Sequence, residues 1–301
     1  MKCAASWIVV LASVSVLAQA PKRPKITGID HVAFYTTNET ANHQLYLDVL
    51  GLTSTAPIEP GQTQRFMLAW QWVGYSPTPD ANATDRMDHI AFTTDDCRAL
   101  RRYLVANAVK VPNDCTDSKD GSHRNMMLKD PQGHTIEFIQ PIGLQRIMNL
   151  GDTVSRRLIH AGFIVRDRAA EDHFYKDILG FHLYWHGGMK PERTDWVAMQ
   201  VPNGTDWLEY MLNVEANPSL HLTGVMNHIS LGVSNMKAAQ AKLEAHGWKP
   251  HGDEHSQMGK DGKWQLNLFD PDQTRIELME FTPKEKPCCS EFQGKHPSEN
   301  E

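Results

Sequence analysis

The chain has 301 residues and carries 30 Lys plus Arg against 36 Asp plus Glu, a net charge of -6. That length allows two domains of common size, each with its own core. The mildly acidic balance, without a long basic run or a basic face laced with aromatics, argues against a nucleic-acid partner, and nothing after residue 20 approaches the roughly 18 apolar residues of a membrane span.

Residues 1–20, MKCAASWIVVLASVSVLAQA, have a basic start, an apolar middle and small residues at Ala18 and Ala20. This is the layout of a secretory signal, so the mature protein is expected to be secreted or periplasmic. Removal of that segment leaves Cys97, Cys115, Cys288 and Cys289. An oxidising compartment permits bridges among them, and spacing alone does not select a pairing.

The rest of the chain repeats one pattern four times. A strand headed by histidine comes first, then a helix, then polar turns and strands, and in three repeats a late strand carries glutamate. The first repeat, about 26–75, begins IDHVAF and continues with the helix ETANHQLYLDVLGL and with QRFMLAWQWV. After a linker at 76–85, the second repeat spans 86–141. It runs from DHIAF through a helix with Leu100, Leu104 and Ala108 on one stripe to MMLKDPQGHTIEFIQP, two strands joined by a turn. A second linker covers 142–155. The third repeat, 156–213, contains LIHAGFIV, the helix AAEDHFYKDILGF and DWLEYML. The fourth, 224–281, contains NHISLGV, a helix stopped by Gly247 and LNLFDPDQTRIELMEF.

Spacing supports the repetition. His89 precedes Glu137 by 48 residues, while His160 precedes Glu209 and His228 precedes Glu277 by 49 each. Short strands with one helix per repeat predict an α+β fold of four β-α-β-β-β modules. Pairing consecutive modules places domains at 24–145 and 155–283, followed by an extended polar tail at 284–301.

Imidazole nitrogen and carboxylate oxygen together suit a divalent Zn, Ni, Co, Mn or Fe ion better than an all-oxygen set would. Single histidines in such strands also occur as ordinary core residues, and the glutamates could alternate toward solvent. An unpaired ionised carboxylate in an apolar strand is costly, which favours a partnered site.

DHVAF, DHIAF, LYLDVLGL, FYKDILGF and DPQGHTIEF resemble the vicinal oxygen chelate superfamily over about residues 26–281. That group contains lactoylglutathione lyase, metal-dependent epimerases, fosfomycin resistance proteins and extradiol dioxygenases. The resemblance implies two glyoxalase-like domains of paired modules around metal-containing clefts. Carried over by position, it implies a metal set of His160, Glu209, His228 and Glu277 in the carboxy-terminal half, which is the preferred site. A second set of His31, His89 and Glu137 is implied in the amino-terminal half, where Met67 falls near the position of the missing carboxylate.

The implied reaction acts on a small-molecule substrate. Lyase or isomerase chemistry, in which Glu209 and Glu277 move protons while the metal stabilises an oxyanion, is the main expectation. The alternatives are an extradiol-type dioxygenase using Fe(II) and a small-ligand binding or resistance protein without turnover. Asn267 and Met127 stand where the extradiol signature usually has tyrosine. Trp196, Trp207, Tyr210 and Trp264 are expected near the cavity, and the duplication is compatible with a homodimer.

Overall fold

Each module begins with a strand whose continuous apolar character comes from being covered on both faces, one by a helix and one by a cleft. The computed structural model describes residues 21–143, 150–250 and 254–299; the signal segment expected at 1–20 lies outside the described residues. The first module contains β1 (Ile26–Thr36), α1 (Glu39–Gln44), β2 (Thr53–Ser54), β3 (Gln64–Leu68) and β4 (Gln71–Pro77). The second contains β5 (Met87–Thr94), α2 (Cys97–Ala106), β6 (Thr116–Asp117), β7 (His123–Lys129) and β8 (Thr135–Pro141).

The third module comprises β9 (Arg157–Ile164), α3 (Arg168–Glu171), β10 (His182–Gly187), β11 (Trp196–Gln200) and β12 (Trp207–Met211). A short helix, α4 (Leu220–Met226), leads into the fourth, which comprises β13 (His228–Val233), α5 (Met236–Ala245), β14 (Gln257–Met258), β15 (Trp264–Phe269) and β16 (Arg275–Glu280). Two eight-stranded sheets result, ordered β2-β3-β4-β1-β5-β8-β7-β6 and β10-β11-β12-β9-β13-β16-β15-β14. In each, the two histidine-bearing strands pair antiparallel at the centre, β1 with β5 and β9 with β13. That pairing brings both histidines of a domain to one cleft.

The four module helices start alike. Asn38, Asp96, Asp167 and Asn235 accept from the backbone N–H three residues onward, satisfying a donor that the first helical turn leaves open. In the first and third modules the helix then widens into a π turn, over Leu45–Val49 and Asp172–Ile178. Gly51 and Gly180 close these segments at φ 69° and 79°, a left-handed conformation that glycine adopts without a Cβ penalty. In α2, Leu100 and Leu104 are buried. Ala108 does not extend their stripe as expected: the helix has ended at Ala106, and Ala108 turns at φ 60°.

Both sheets contribute to one shared apolar core. The DPQG and DPDQ turns reach across the seam between them. Asp130 Oδ1 accepts from the N–H groups of Gln132 and His134, and Asp130 Oδ2 accepts from Tyr175 of α3's π extension at 3.2 Å. Asp270 does the same in the fourth module, holding the N–H groups of Asp272 and Thr274 and accepting from Tyr75 at 2.9 Å. No described helix is long and apolar enough to cross a membrane.

The tail differs from a free polar extension. Residues 284–299 have no regular structure, but they lie along the second sheet: Trp185 Nε1 donates to the Cys288 carbonyl and Gln200 Nε2 to that of Lys295. Phe292 packs against Tyr184 with ring centroids 4.8 Å apart. Composition disguises this docking, because Phe292, His296, Ser290 and several backbone hydrogen bonds hold an otherwise polar segment. Disulfides join Cys97 to Cys115 and Cys288 to Cys289.

Candidate metal centres

In the first domain, β1 supplies His31, β5 supplies His89 and β8 supplies Glu137. A fourth donor, Glu59, arrives from the loop between β2 and β3. Candidate ligand atoms of these four residues lie within 4.8 Å of one another. His31 Nε2 is 3.0 Å from His89 Nε2, 3.1 Å from Glu59 Oε1 and 3.3 Å from Glu137 Oε2. His89 Nε2 is 3.5 and 3.4 Å from the same two oxygens. Tetrahedral bonds of about 2.0–2.1 Å place donors about 3.3 Å apart, so the spacing suits one small divalent ion.

The preceding residues set the imidazoles' orientation. His31 Nδ1 faces Asp30 Oδ1 at 2.8 Å, and His89 Nδ1 faces Asp88 Oδ2 at 3.2 Å. A neutral ring held this way carries its proton on Nδ1 and turns the Nε2 lone pair to the centre. Trp72 stacks on His31 with centroids 3.6 Å apart. Asn125 donates to Glu137 Oε1, while Glu137 Oε2 is buried without a hydrogen-bond donor among the described residues.

Two lone pairs facing each other beside two carboxylates call for positive charge. Burial would lower the His31 pKa, but Glu59, Asp30 and Glu137 outweigh it and raise it to about 10. His89 is likewise driven up against its burial by Asp88, Glu137 and Glu59. Burial would raise Glu137, yet His31 and His89 bring it down to about 2. Protons can supply this charge, and so can a divalent metal that displaces them.

Glu59 is the donor that sequence comparison missed. The expected location near Met67 is corrected by strand register. Trp207 pairs with His160 and Glu209 with Gly162, whereas in the first domain Trp72 pairs with His31 and Gly74 with Ala33. Gly74 on β4 therefore occupies the position of Glu209, while Met67 lies one strand outward on β3, buried against Trp72 and Leu150. The shared tryptophan in WVG and WLE was the signal that could have shown this; nothing in the repeat points to Glu59.

In the carboxy-terminal set, candidate ligand atoms of His160, Glu209 and His228 lie within 4.8 Å of one another, and Glu277 stands outside that trio, reaching only His160. His160 Nε2 is 3.1 Å from His228 Nε2, 3.3 Å from Glu277 Oε2 and 3.9 Å from Glu209 Oε2. His228 Nε2 is 3.5 Å from Glu209 Oε2. The surroundings nevertheless differ from the first centre. No carboxylate faces either Nδ1: that of His160 is buried without a partner among the described residues, and that of His228 faces the Met226 carbonyl. Arg275 Nη2 lies 2.7 Å from His228 Nε2.

Burial, followed by His228 and Arg275, pushes the His160 pKa well below its ordinary value, and burial with Arg275 does the same to His228. Burial and Glu277 raise Glu209 to about 8. Burial also raises Glu277. Burial thus works against charge on both the imidazoles and the carboxyls of the second cleft, beside a fixed guanidinium. Of the aromatics expected near it, Trp196 and Trp207 line its cavity, Trp264 lines a separate one and Tyr210 is in the core.

Comparison with known proteins places these clefts in context. A family model described as the Glyoxalase/Bleomycin resistance protein/Dioxygenase superfamily matches residues 28–138 and 157–278. The fold is similar to that of an extradiol ring-cleaving dioxygenase from B. fuscum, with TM-score 0.64, 16% identity and coverage of 90% of this chain and 75% of that one. A Mn(II)-bound glyoxalase from Novosphingobium aromaticivorans gives TM-score 0.63, 18% identity and coverage of 90% and 87%. The 2,3-dioxygenase LapB from Pseudomonas sp. KL28 gives 0.64, 14%, 92% and 96% in the same order. No match appears among curated proteins.

Proposed function

Because the chain belongs to the glyoxalase, bleomycin resistance protein and dioxygenase superfamily, we propose that it is a divalent-metal-dependent enzyme acting on a small molecule, with its metal held by His31, Glu59, His89 and Glu137. The observation that carries this reading is the convergence of those donors, with Asp30 and Asp88 behind the two imidazoles. Their nitrogen and oxygen chemistry fits Zn, Ni, Co, Mn or Fe.

When bound, such a metal supplies Lewis-acid polarisation of substrate oxygens or, as Fe(II), a centre for oxygen chemistry. The protein's own groups bind and position the substrate. A cavity of about 470 Å³ is lined by Asp30 and Trp72, which contact His31, by Ile58, which precedes Glu59, and by Arg65 and His123; the four ligands themselves do not line it. Arg65 offers a guanidinium to an anionic substrate oxygen, and His123 is a group able to exchange a proton there. Trp72 shields the outer face of His31 from water.

Ring-cleaving oxygenation is the first reading of the reaction class, supported by the likeness in fold to extradiol dioxygenases. Redox-neutral lyase or isomerase chemistry is the second reading, favoured by Glu59: a second carboxylate on a loop can take up and return a proton without dismantling the strand-borne ligands. Assays of the Fe(II)-loaded protein against a catechol panel, with an oxygen electrode, distinguish the two. Oxygen uptake matched to ring-cleaved product is expected; anaerobic turnover with Ni, Co, Mn or Zn would favour the second reading. Failure to bind any of these metals would overturn both.

Export to an oxidising compartment forms part of the same proposal, supported by the residue 1–20 pattern and the two disulfides. Amino-terminal sequencing of protein recovered outside the cytoplasm tests it.

A further inference from the structure

The second cleft gathers two histidines and two glutamates, but Arg275 already occupies the lone pair that a metal would use. Ile229 pairs with Ile276 in parallel register, placing Arg275 beside His228 much as Thr135 lies beside His89 in the first domain. A guanidinium stays protonated, and here Nη2 donates to His228 Nε2 at 2.7 Å. A divalent ion at that nitrogen would meet a permanent positive charge within a few ångströms, an unfavourable placement in a desolvated site. Lys263 adds a second buried cation, 4.8 Å from the Trp207 ring centroid and 5.2 Å from that of Tyr184. As arranged, His160, Glu209, His228 and Glu277 do not fit a divalent metal.

The cleft fits another occupant. Its cavity of about 360 Å³ has aromatic walls that include Trp185, Trp196, Trp207 and Phe292. Its polar groups include Arg275 and Asn267 together with the carboxyls of Glu209, Asp261 and Glu277, the last 4.0 Å from Arg275 Nη1. Arg275 Nε and Asn267 Oδ1 are buried without hydrogen-bond partners among the described residues. Leaving such groups unpaired costs about 1–3 kcal/mol each, so a ligand that satisfies the guanidinium recovers part of that penalty. A carboxylate matches the planar donor geometry of arginine, and an aromatic ring matches the indole walls. The docked tail contributes Phe292 to those walls and fixes Trp185 through the Cys288 carbonyl.

We propose that this second cleft is a metal-independent binding site for a small aromatic carboxylate, with Arg275 standing in the place of the ion. The inference does not depend on the metal assignment in the first domain.

Benzoate is the probe. Full-length protein, loaded with Mn(II) and freed of excess metal, is titrated with benzoate and with uncharged benzamide by calorimetry and tryptophan fluorescence. Benzoate is expected to bind at one equivalent per chain and more tightly than benzamide. Arg275→Met should weaken benzoate by about ten- to hundredfold, the loss expected for charge-assisted hydrogen bonds, while Arg275→Lys restores part of it. Binding should survive in His31→Ala, which reports on the first cleft.

Metal counting provides a second measurement. Arg275→Thr, which copies the residue at position 135, should gain a metal equivalent that His228→Ala then removes. No saturable binding of benzoate at millimolar concentration, or equal affinity in Arg275→Met, overturns the ligand assignment. A metal equivalent in the unaltered protein that is lost in His228→Ala but kept in His31→Ala overturns the metal-independent site. Loss of metal in His31→Ala alone supports the first-domain centre, so the two readings fail separately.

Discussion

Asp30 Oδ1 lies 2.8 Å from His31 Nδ1, whereas the residue preceding His160 is the buried, apolar Ile159. This contrast distinguishes two clefts built from the same repeat. A carboxylate behind an imidazole fixes its tautomer and makes the opposite nitrogen a stronger ligand. Asp30→Asn keeps the side chain's size while removing its charge. Metal affinity is expected to fall about 10–100-fold, with little change in the far-ultraviolet circular dichroism of the metal-free protein. Competition with a chromophoric chelator gives the affinity; an unchanged value removes Asp30 from the account.

Metal uptake should also depend on pH. His31 titrates at about 10 because Glu59, Asp30 and Glu137 outweigh its burial. Its folded pKa exceeds the unfolded value, so this contribution to metal-free stability is fully present below about 6.5 and is lost as pH rises through about 10. Below that upper limit a metal must displace the proton, and apparent affinity should rise with pH from neutrality. Chelator competition across that range, together with thermal melts of metal-free and loaded protein, checks both effects. The loaded protein should resist the alkaline loss, since the metal replaces the proton as the positive partner of the carboxylates.

Much of the fold was legible because a histidine-headed strand and a glycine-stopped helix recur with nearly constant spacing. The same regularity exposed His31, His89, Glu137, His160, Glu209, His228 and Glu277. Glu59 escaped because it lies on a loop, so no repeat position predicts it, and the space over Gly74, where the third module has Glu209, is taken by Gln62 and the Trp72 ring. Arg275 was visible in QTRIE but not interpretable: only strand register places it beside His228. The tail's docking was obscured for a related reason, since its contacts run through backbone carbonyls and a few scattered side chains, Ser290, Phe292 and His296, that make no pattern.

Glu59 and Glu137 should contribute unequally. Glu137 is fully buried on β8 between paired strands, while the Glu59 side chain retains 14% exposure on its loop. Glu59→Ala is expected to weaken metal by about tenfold and leave folding intact; Glu137→Ala should weaken it by at least about a hundredfold. Isothermal titration with Mn(II) measures both. Equal losses would show that the loop carboxylate is as firmly committed as the strand carboxylate, removing the freedom on which the proton-transfer reading rests.

The seam between the sheets contains another perturbed carboxyl. Glu171 on α3 accepts from Gln132 at 2.9 Å, and burial, reinforced by the charge of Asp130, raises its pKa to about 7. Here the folded state holds a proton that the unfolded state releases near 4.5. The associated stability is therefore present below about 4.5 and declines as pH rises to about 7, where the buried group must ionise. Glu171→Gln retains the side chain's size and removes that ionisation. It should be stabilising by about 1–2 kcal/mol above neutrality, after allowance for solvent screening, and have little effect in mild acid. Urea unfolding at a series of pH values measures the difference. A constant gap between the two proteins would mean that the carboxyl exchanges its proton as freely in the seam as in water, so that Asp130 and burial exert no net hold on it.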